Sequence, residues 1–147
     1  MRFSISLLFA SLILAAAFLA RGQAPEPTTA PAVNWVLPLF TDREGYRAMT
    51  LRGSSVKPAD NGGIAVTDLN ITIFSGDAAV RVDTVLLSQY AVFLPKENRA
   101  FGDKTVRVIR AEIDVTGEGW TYDQTGKKVS IRENVRVVYR APLKLSL

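Results

Sequence analysis

From Lys128 onward the chain alternates almost without fault. Even positions carry Lys128, Ser130, Arg132, Asn134, Arg136, Val138 and Arg140, and odd positions carry Val129, Ile131, Glu133, Val135, Val137, Tyr139 and Ala141. Successive side chains of a strand point to opposite faces, so a period of two predicts a half-buried β-strand. One face is basic and the other is apolar apart from Glu133. The same alternation runs through residues 46–53 and 69–76, the latter placing Leu69, Ile71 and Ile73 on one side. Residues 79–95 form a further apolar-rich strand segment. Residues 105–117 read as one strand that changes face partway. Val106 and Val108 are apolar on even positions, whereas Ile109, Ala111, Ile113 and Val115 are apolar on odd ones. That switch predicts a bulge near Val108.

The segments between these runs carry turn chemistry. Pro58 to Gly63 reads PADNGG, residues 95–104 read PKENRAFGDK, and residues 123–128 read DQTGKK. Gly, Asn and Asp adopt turn conformations cheaply, and Pro fixes its own φ. After a first apolar segment, VNWVLPLF at 33–40, no window keeps a helical period. Short strands at regular intervals predict an all-β sandwich, barrel or open roll built of antiparallel strands. Trp120 and Tyr122 share a face just before the last turn, and aromatic residues so placed are expected to plug the end of the core.

The N-terminus changes the picture from a plain β-domain to an exported one. Met1 and Arg2 precede eighteen uncharged residues, Phe3 to Ala20, and Arg21 follows. A basic end, an apolar core and small residues near Ala20, Gly22 and Ala24 match a secretory signal, with cleavage after Gly22 favoured over Ala24 because Pro25 follows the latter. The competing reading is an uncleaved anchor, since eighteen helical residues span roughly 27 Å. Residues 1–22 are therefore a signal peptide or membrane anchor, 23–32 a Pro, Ala and Thr-rich tether, 33–141 one β-domain, and 142–147 a short tail.

Charge adds a bias toward the C-terminal half. The chain has 18 Lys plus Arg against 14 Asp plus Glu, and without Arg2 and Arg21 the balance is 16 against 14. From Lys104 to Leu147 there are nine basic and five acidic residues. This asymmetry points to an anionic partner or surface, or else to a solvated outer face.

Candidate chemistry is sparse. The chain has no His and no Cys, which removes the usual general base, the thiol nucleophile, imidazole metal sites, zinc clusters and disulfides. Glu112 and Asp114 share a strand face with Arg110, and Glu118 follows, an arrangement whose ordinary outcome is ion pairing and not acid/base catalysis. Gly117-Glu118-Gly119 lacks the strand-to-helix setting of a phosphate loop. Asn70-Ile71-Thr72 is formally a glycosylation sequon. No enzyme activity, cofactor, metal or nucleic-acid partner is expected. What remains is an exported β-domain with one apolar face, able to hold lipid chains if its layers do not close, and a final strand whose edge can pair with another protein.

Several stretches resemble the LptC and LptA (OstA-like) periplasmic proteins of lipopolysaccharide export: LRGSSVKP, LNITIFSGD, QYAVFLPKENRAFGDKTVRV and IDVTGEGWTYDQTGKKVSIRENVRVVY. The pattern of Gly, an aromatic and Asp, a turn, and an alternating strand ending in Asn-Val is met by Gly119, Tyr122 and Asp123, then Val129, Ile131, Asn134, Val135 and Val137. The signal and tether make the layout more similar to LptC. The resemblance implies an open, twisted β-jellyroll that receives lipid A acyl chains of lipopolysaccharide extracted by an inner-membrane ABC transporter complex. It also implies edge-to-edge joining with an LptA-like periplasmic protein. On that basis Leu69, Ile71, Ile73, Ile113, Val115, Val129, Ile131, Val135, Val137 and Tyr139 are expected to contact lipid. Asn134, Val135, Arg136, Val137, Val138, Tyr139, Arg140 and Ala141 are expected to form the docking edge. A secreted structural or adhesion module with a closed core is the alternative.

Overall fold

A computed structural model describes residues 31–140. The signal or anchor, the tether up to residue 30, Ala141 and the tail lie outside the described residues. Seven strands, β1 (Ala32–Phe40), β2 (Arg47–Pro58), β3 (Ile64–Phe74), β4 (Val82–Leu94), β5 (Arg99–Arg110), β6 (Ile113–Asp123) and β7 (Lys128–Tyr139), form one antiparallel sheet in sequence order. The fold is all-β, an open jellyroll whose two end strands do not pair with each other.

A line of local breaks crosses the sheet. Asn34, Asp68, Gly119 and Asn134 take positive φ there, and the registers shift between Ser88 and Val92, Gly102 and Thr105, and Thr116 and Glu118. Asn, Asp and Gly tolerate the left-handed region, so these strands can bend at this line without losing their neighbours. Two of the bends are tied by side chains. The Ser54 hydroxyl donates to the Asp68 carboxylate at 2.7 Å, and the Asn134 amide donates to Glu118 at 3.2 Å.

The bends fold the sheet over itself into a longer half, containing Arg47–Gly53 and Glu133–Tyr139, and a shorter half, containing Trp120–Asp123 and Lys128–Ile131. The turn residues Asn98, Gln124 and Thr125 of the shorter half line one cleft with Leu39, Phe40 and Thr41 of the longer half. Between the halves lies the core, with Leu51, Val66, Ile71, Leu86 and Val106 fully enclosed. Trp120 and Tyr122 are buried among them, as their spacing predicted. The indole of Trp120 donates to the Ser88 hydroxyl at 3.2 Å, which satisfies its one polar atom inside the core.

Two sequence expectations are corrected. The face change in 105–117 is a two-residue hairpin and not a bulge near Val108: β5 ends at Arg110, β6 begins at Ile113, and Arg110 pairs with Ile113 across the turn. Ala111 takes a φ of +45° to make it. The turn expected over 95–104 is shorter as well. Pro95–Glu97 form a single 3-10 turn closed by left-handed Asn98, and Arg99 onward belongs to β5.

Candidate functional site

Residues opposite one another in an antiparallel ladder share a face, so the register shows which side chains line the interior. One row crosses all seven strands: Leu37, Leu51, Ile71, Leu86, Val108, Val115 and Val137. Every member is apolar. The next row outward, toward the β5–β6 hairpin, holds Leu39, Met49, Ile73, Thr84, Arg110, Ile113 and Tyr139.

Exposure changes sharply along these rows. Leu51, Ile71 and Leu86 are 0% exposed, Val108 and Val115 are intermediate, and Val137 is 60% exposed. In the outer row Met49 is 1% exposed, Ile113 39% and Tyr139 67%. The folded-over half therefore covers β2 to β4 and leaves the inner face of β6 and β7 as an uncovered apolar strip. Exposed apolar residues that are contiguous and share one sheet face call for a ligand or a partner, unlike isolated ones.

The expected lipid-contacting residues occupy this one face but in different settings. Leu69, Ile71 and Ile73 are buried core positions, Val115, Val129 and Ile131 are half-buried, and Ile113, Val135, Val137 and Tyr139 are exposed. Glu133, the polar residue on the apolar side of β7, sits at the bend beside Asn134, where the strand turns from one half into the other.

β7 is an end strand whose second edge has no partner among the described residues. The expected docking residues from Asn134 to Tyr139 lie on it, Arg140 directly follows it, and all are exposed, while Ala141 is outside the described residues. The other end strand, β1, has Pro38 opposite Thr50. Thr41 donates its backbone N–H to the Tyr46 carbonyl at 2.8 Å, so the odd residues of β1 direct their N–H groups to β2 and the even ones direct theirs outward. Pro38 thus removes a donor from the free edge, a common way of blunting strand addition. β7 has no proline.

An ion cluster lies on the other face of the longer half. Buried Asp114 accepts from Arg107 Nε at 3.0 Å and from the same guanidinium at 2.6 Å, and also from Arg140. Hydrogen bonding to Arg107 is the main cause that holds the Asp114 carboxyl below the ordinary carboxylate range, and it raises Arg107 in turn. This one carboxylate ties β5 and β6 to the residue that follows β7. Asp114 is thus a structural anchor paired with Arg107 and Arg140, and Arg110, expected on its face, stands on the opposite one in register with Ile113. Burial pushes the Tyr122 phenol up to about 12, so it stays neutral in the core. The Tyr139 phenol is raised by the Glu112 carboxylate it faces.

The cations on the even face of β7 are partly occupied. Arg132 pairs with Asp103 at 3.0 Å and Arg140 with Asp114, while Arg136 stands opposite Thr116, on the face that also carries Arg107. Among the described residues no group of three or more acidic residues is placed to hold a metal ion.

The family model described as lipopolysaccharide-assembly, LptC-related, matches residues 66–140, just over half of the 147. This chain belongs to that LptC-related family. The matched span runs from β3 to the end of β7 and so includes the exposed strip and the free edge. A similar solved structure is that of LptH from Pseudomonas aeruginosa, described as the LptA homologous periplasmic component of the conserved lipopolysaccharide transport device. It is 17% identical, with a TM-score of 0.52, and the match covers 76% of this chain and 94% of that one. At that identity the likeness is one of fold. No curated protein matches the chain. The LptC-related match and the folded-over sheet agree with the family resemblance carried by the Gly119, Tyr122, Asp123 and Asn134-Val135 pattern.

Proposed function

We propose that this protein is a periplasmic component of lipopolysaccharide transport, a carrier and adaptor without enzymatic activity. It takes the acyl chains of lipid A against the uncovered inner face of β6 and β7 and passes them to the next β-jellyroll protein across the edge of β7. The observation that carries this reading is the apolar row from Leu37 to Val137, sealed at β2 to β4 and open at the strand whose outer edge is unpaired. A lipid lying along Val135, Val137 and Tyr139 would reach the free edge without crossing a polar barrier. Leu69, Ile71 and Ile73 would form the closed continuation of the same face. The cargo would arrive from an inner-membrane ABC transporter complex and leave toward an LptA-like protein docked on Asn134–Ala141. Whether the N-terminal segment anchors or releases the domain does not alter this path.

Photocrosslinking tests it. A crosslinker at Val135 or Val137 captures lipopolysaccharide in cells, while one at Arg136 or Val138 captures little, because neighbours face opposite ways. Equal labelling of both pairs, or none, removes the groove. The sealed packing of Leu51, Ile71 and Leu86 would then favour a closed-core structural module.

A further inference from the structure

At its mouth, away from Glu133 at the bend, the uncovered strip has one charged residue on its own face. In the half of the sheet that carries it, the inward positions of β5 to β7 are Val106, Val108 and Arg110, then Ile113, Val115 and Gly117, then Val135, Val137 and Tyr139. Arg110 ends β5 at the hairpin and stands in the same row as Ile113 and Tyr139, at the mouth of the strip. The other cations nearby are committed differently: Arg107 and Arg140 grip buried Asp114. Arg110 has only Asp83, with Nε to carboxylate oxygen at 3.7 Å and both side chains well exposed. That separation is too long for a hydrogen bond, and an exposed pair of this kind contributes little. The same Asp83 oxygen also accepts from the Thr84 hydroxyl at 3.0 Å, so it is shared between the two. Glu112, the other acid at the hairpin, faces the Tyr139 phenol.

The geometry points to Arg110 as the subsite for a phosphate group of an amphiphile whose chains lie on the strip. This rests on the groove reading above and adds a polarity to it. The anionic headgroup sits at the β5–β6 hairpin, and the chains run from Tyr139 toward Val135, about 13 Å along the strand. Guanidinium matches phosphate with paired N–H donors, whereas an ammonium offers only a point charge. An apolar strip closed by one loosely held guanidinium therefore selects a molecule with both features. A neutral lipid would satisfy the strip and leave Arg110 where it is.

The chain has no cysteine, so an environment-sensitive fluorophore on a single Val135→Cys variant, on the strip at the end far from Arg110, reports occupancy without competing reactions. Titrations would use bisphosphorylated lipid A, lipid A stripped of its phosphates, and inorganic phosphate alone. The expected result is about fivefold tighter binding of the bisphosphorylated lipid, abolished by Arg110→Ala and partly kept by Arg110→Lys. Asp83→Asn should tighten it further by releasing Arg110. Inorganic phosphate should neither bind measurably nor compete, because it lacks the chains. Equal affinity for both lipids, or equal weakening of both by Arg110→Ala in a variant with an unchanged melting temperature, overturns the headgroup site and leaves the groove standing. Competition by inorganic phosphate alone marks a free-phosphate site and overturns the amphiphile assignment. Failure of both lipids to bind defeats the groove, and the subsite with it.

Discussion

The backbone N–H of Arg140 donates to the Glu112 carbonyl at 2.7 Å. That bond sets the phase of β7. Hydrogen-bonded and non-hydrogen-bonded pairs alternate along an antiparallel ladder, so Val138, opposite Asp114, also turns its N–H to β6, while Val137 and Tyr139 turn theirs to the free edge. The residues that point side chains onto the apolar strip are therefore the ones that offer backbone donors to a docking strand. On the proposed reading, lipid contact and partner pairing would fall on the same odd positions.

This phase predicts opposite effects for proline at two adjacent residues. Val137→Pro should leave the domain folded and abolish binding of an LptA-like partner, because it removes only an outward donor. Val138→Pro should lose a bond within the sheet, costing about 0.5–1.5 kcal/mol for the bond and more for disturbed geometry. Thermal melts and a pull-down separate the two. Two folded variants that both bind would show that β7 is not the docking edge.

The gradient along the apolar row can be read by truncation. Leu51→Ala removes a fully enclosed side chain and should cost about 2–5 kcal/mol. Val137→Ala, at the exposed end of the same row, should change stability by no more than about 0.5 kcal/mol while weakening lipid capture. Urea unfolding measures both. A large loss at Val137 would mean that the strip is covered in solution.

Gly102 stands where β5 passes the indole of Trp120. A methyl group there would lie 2.7 Å from the Tyr90 carbonyl oxygen and 2.8 Å from Trp120 Nε1. Gly102→Ala should therefore destabilise by about 1–3 kcal/mol, with loss of the near-ultraviolet signal of the packed indole. A neutral effect would imply that the bend relaxes more freely than its close contacts suggest.

The acid limb of the stability curve should depend on Asp114. Its folded pKa lies below the ordinary value, so its contribution is complete above the unfolded carboxylate pKa of about 3.9 and is lost as pH falls through the lowered folded value. Asp114→Asn should give a less stable domain at neutral pH whose melting temperature falls less between pH 5 and pH 2. Parallel curves for the two proteins would assign acid unfolding to other carboxylates.

Much of this arrangement is legible in the chain. Period-two alternation puts Leu69, Ile71, Ile73, Val135, Val137 and Tyr139 on one face, and the register bears that out strand by strand. The Ala111–Glu112 hairpin was hidden because neither residue belongs to the usual turn set. Its only trace is the change of phase after Arg110, which a bulge would also produce. The division between sealed Ile71 and exposed Val137 was hidden for a different reason. It comes from how far the shorter half reaches across the longer one, a tertiary property, and alternation looks the same in a dry core and an open strip. The bends were half visible, as Asn34, Asp68 and Asn134 interrupting apolar runs, but nothing local says that they fall on one line.

Strand order that repeats chain order also bears on how the domain comes into being. Each strand pairs only with its predecessor and its successor, so no pairing waits for a distant segment and the entropy of loop closure stays small. A chain delivered N-terminus first can lay down β2 on β1, then β3 on β2, without an intermediate that must be undone. Among the described residues the last strand delivered is β7, so a neighbour docked on its edge, as proposed, would take the place of the strand next in order.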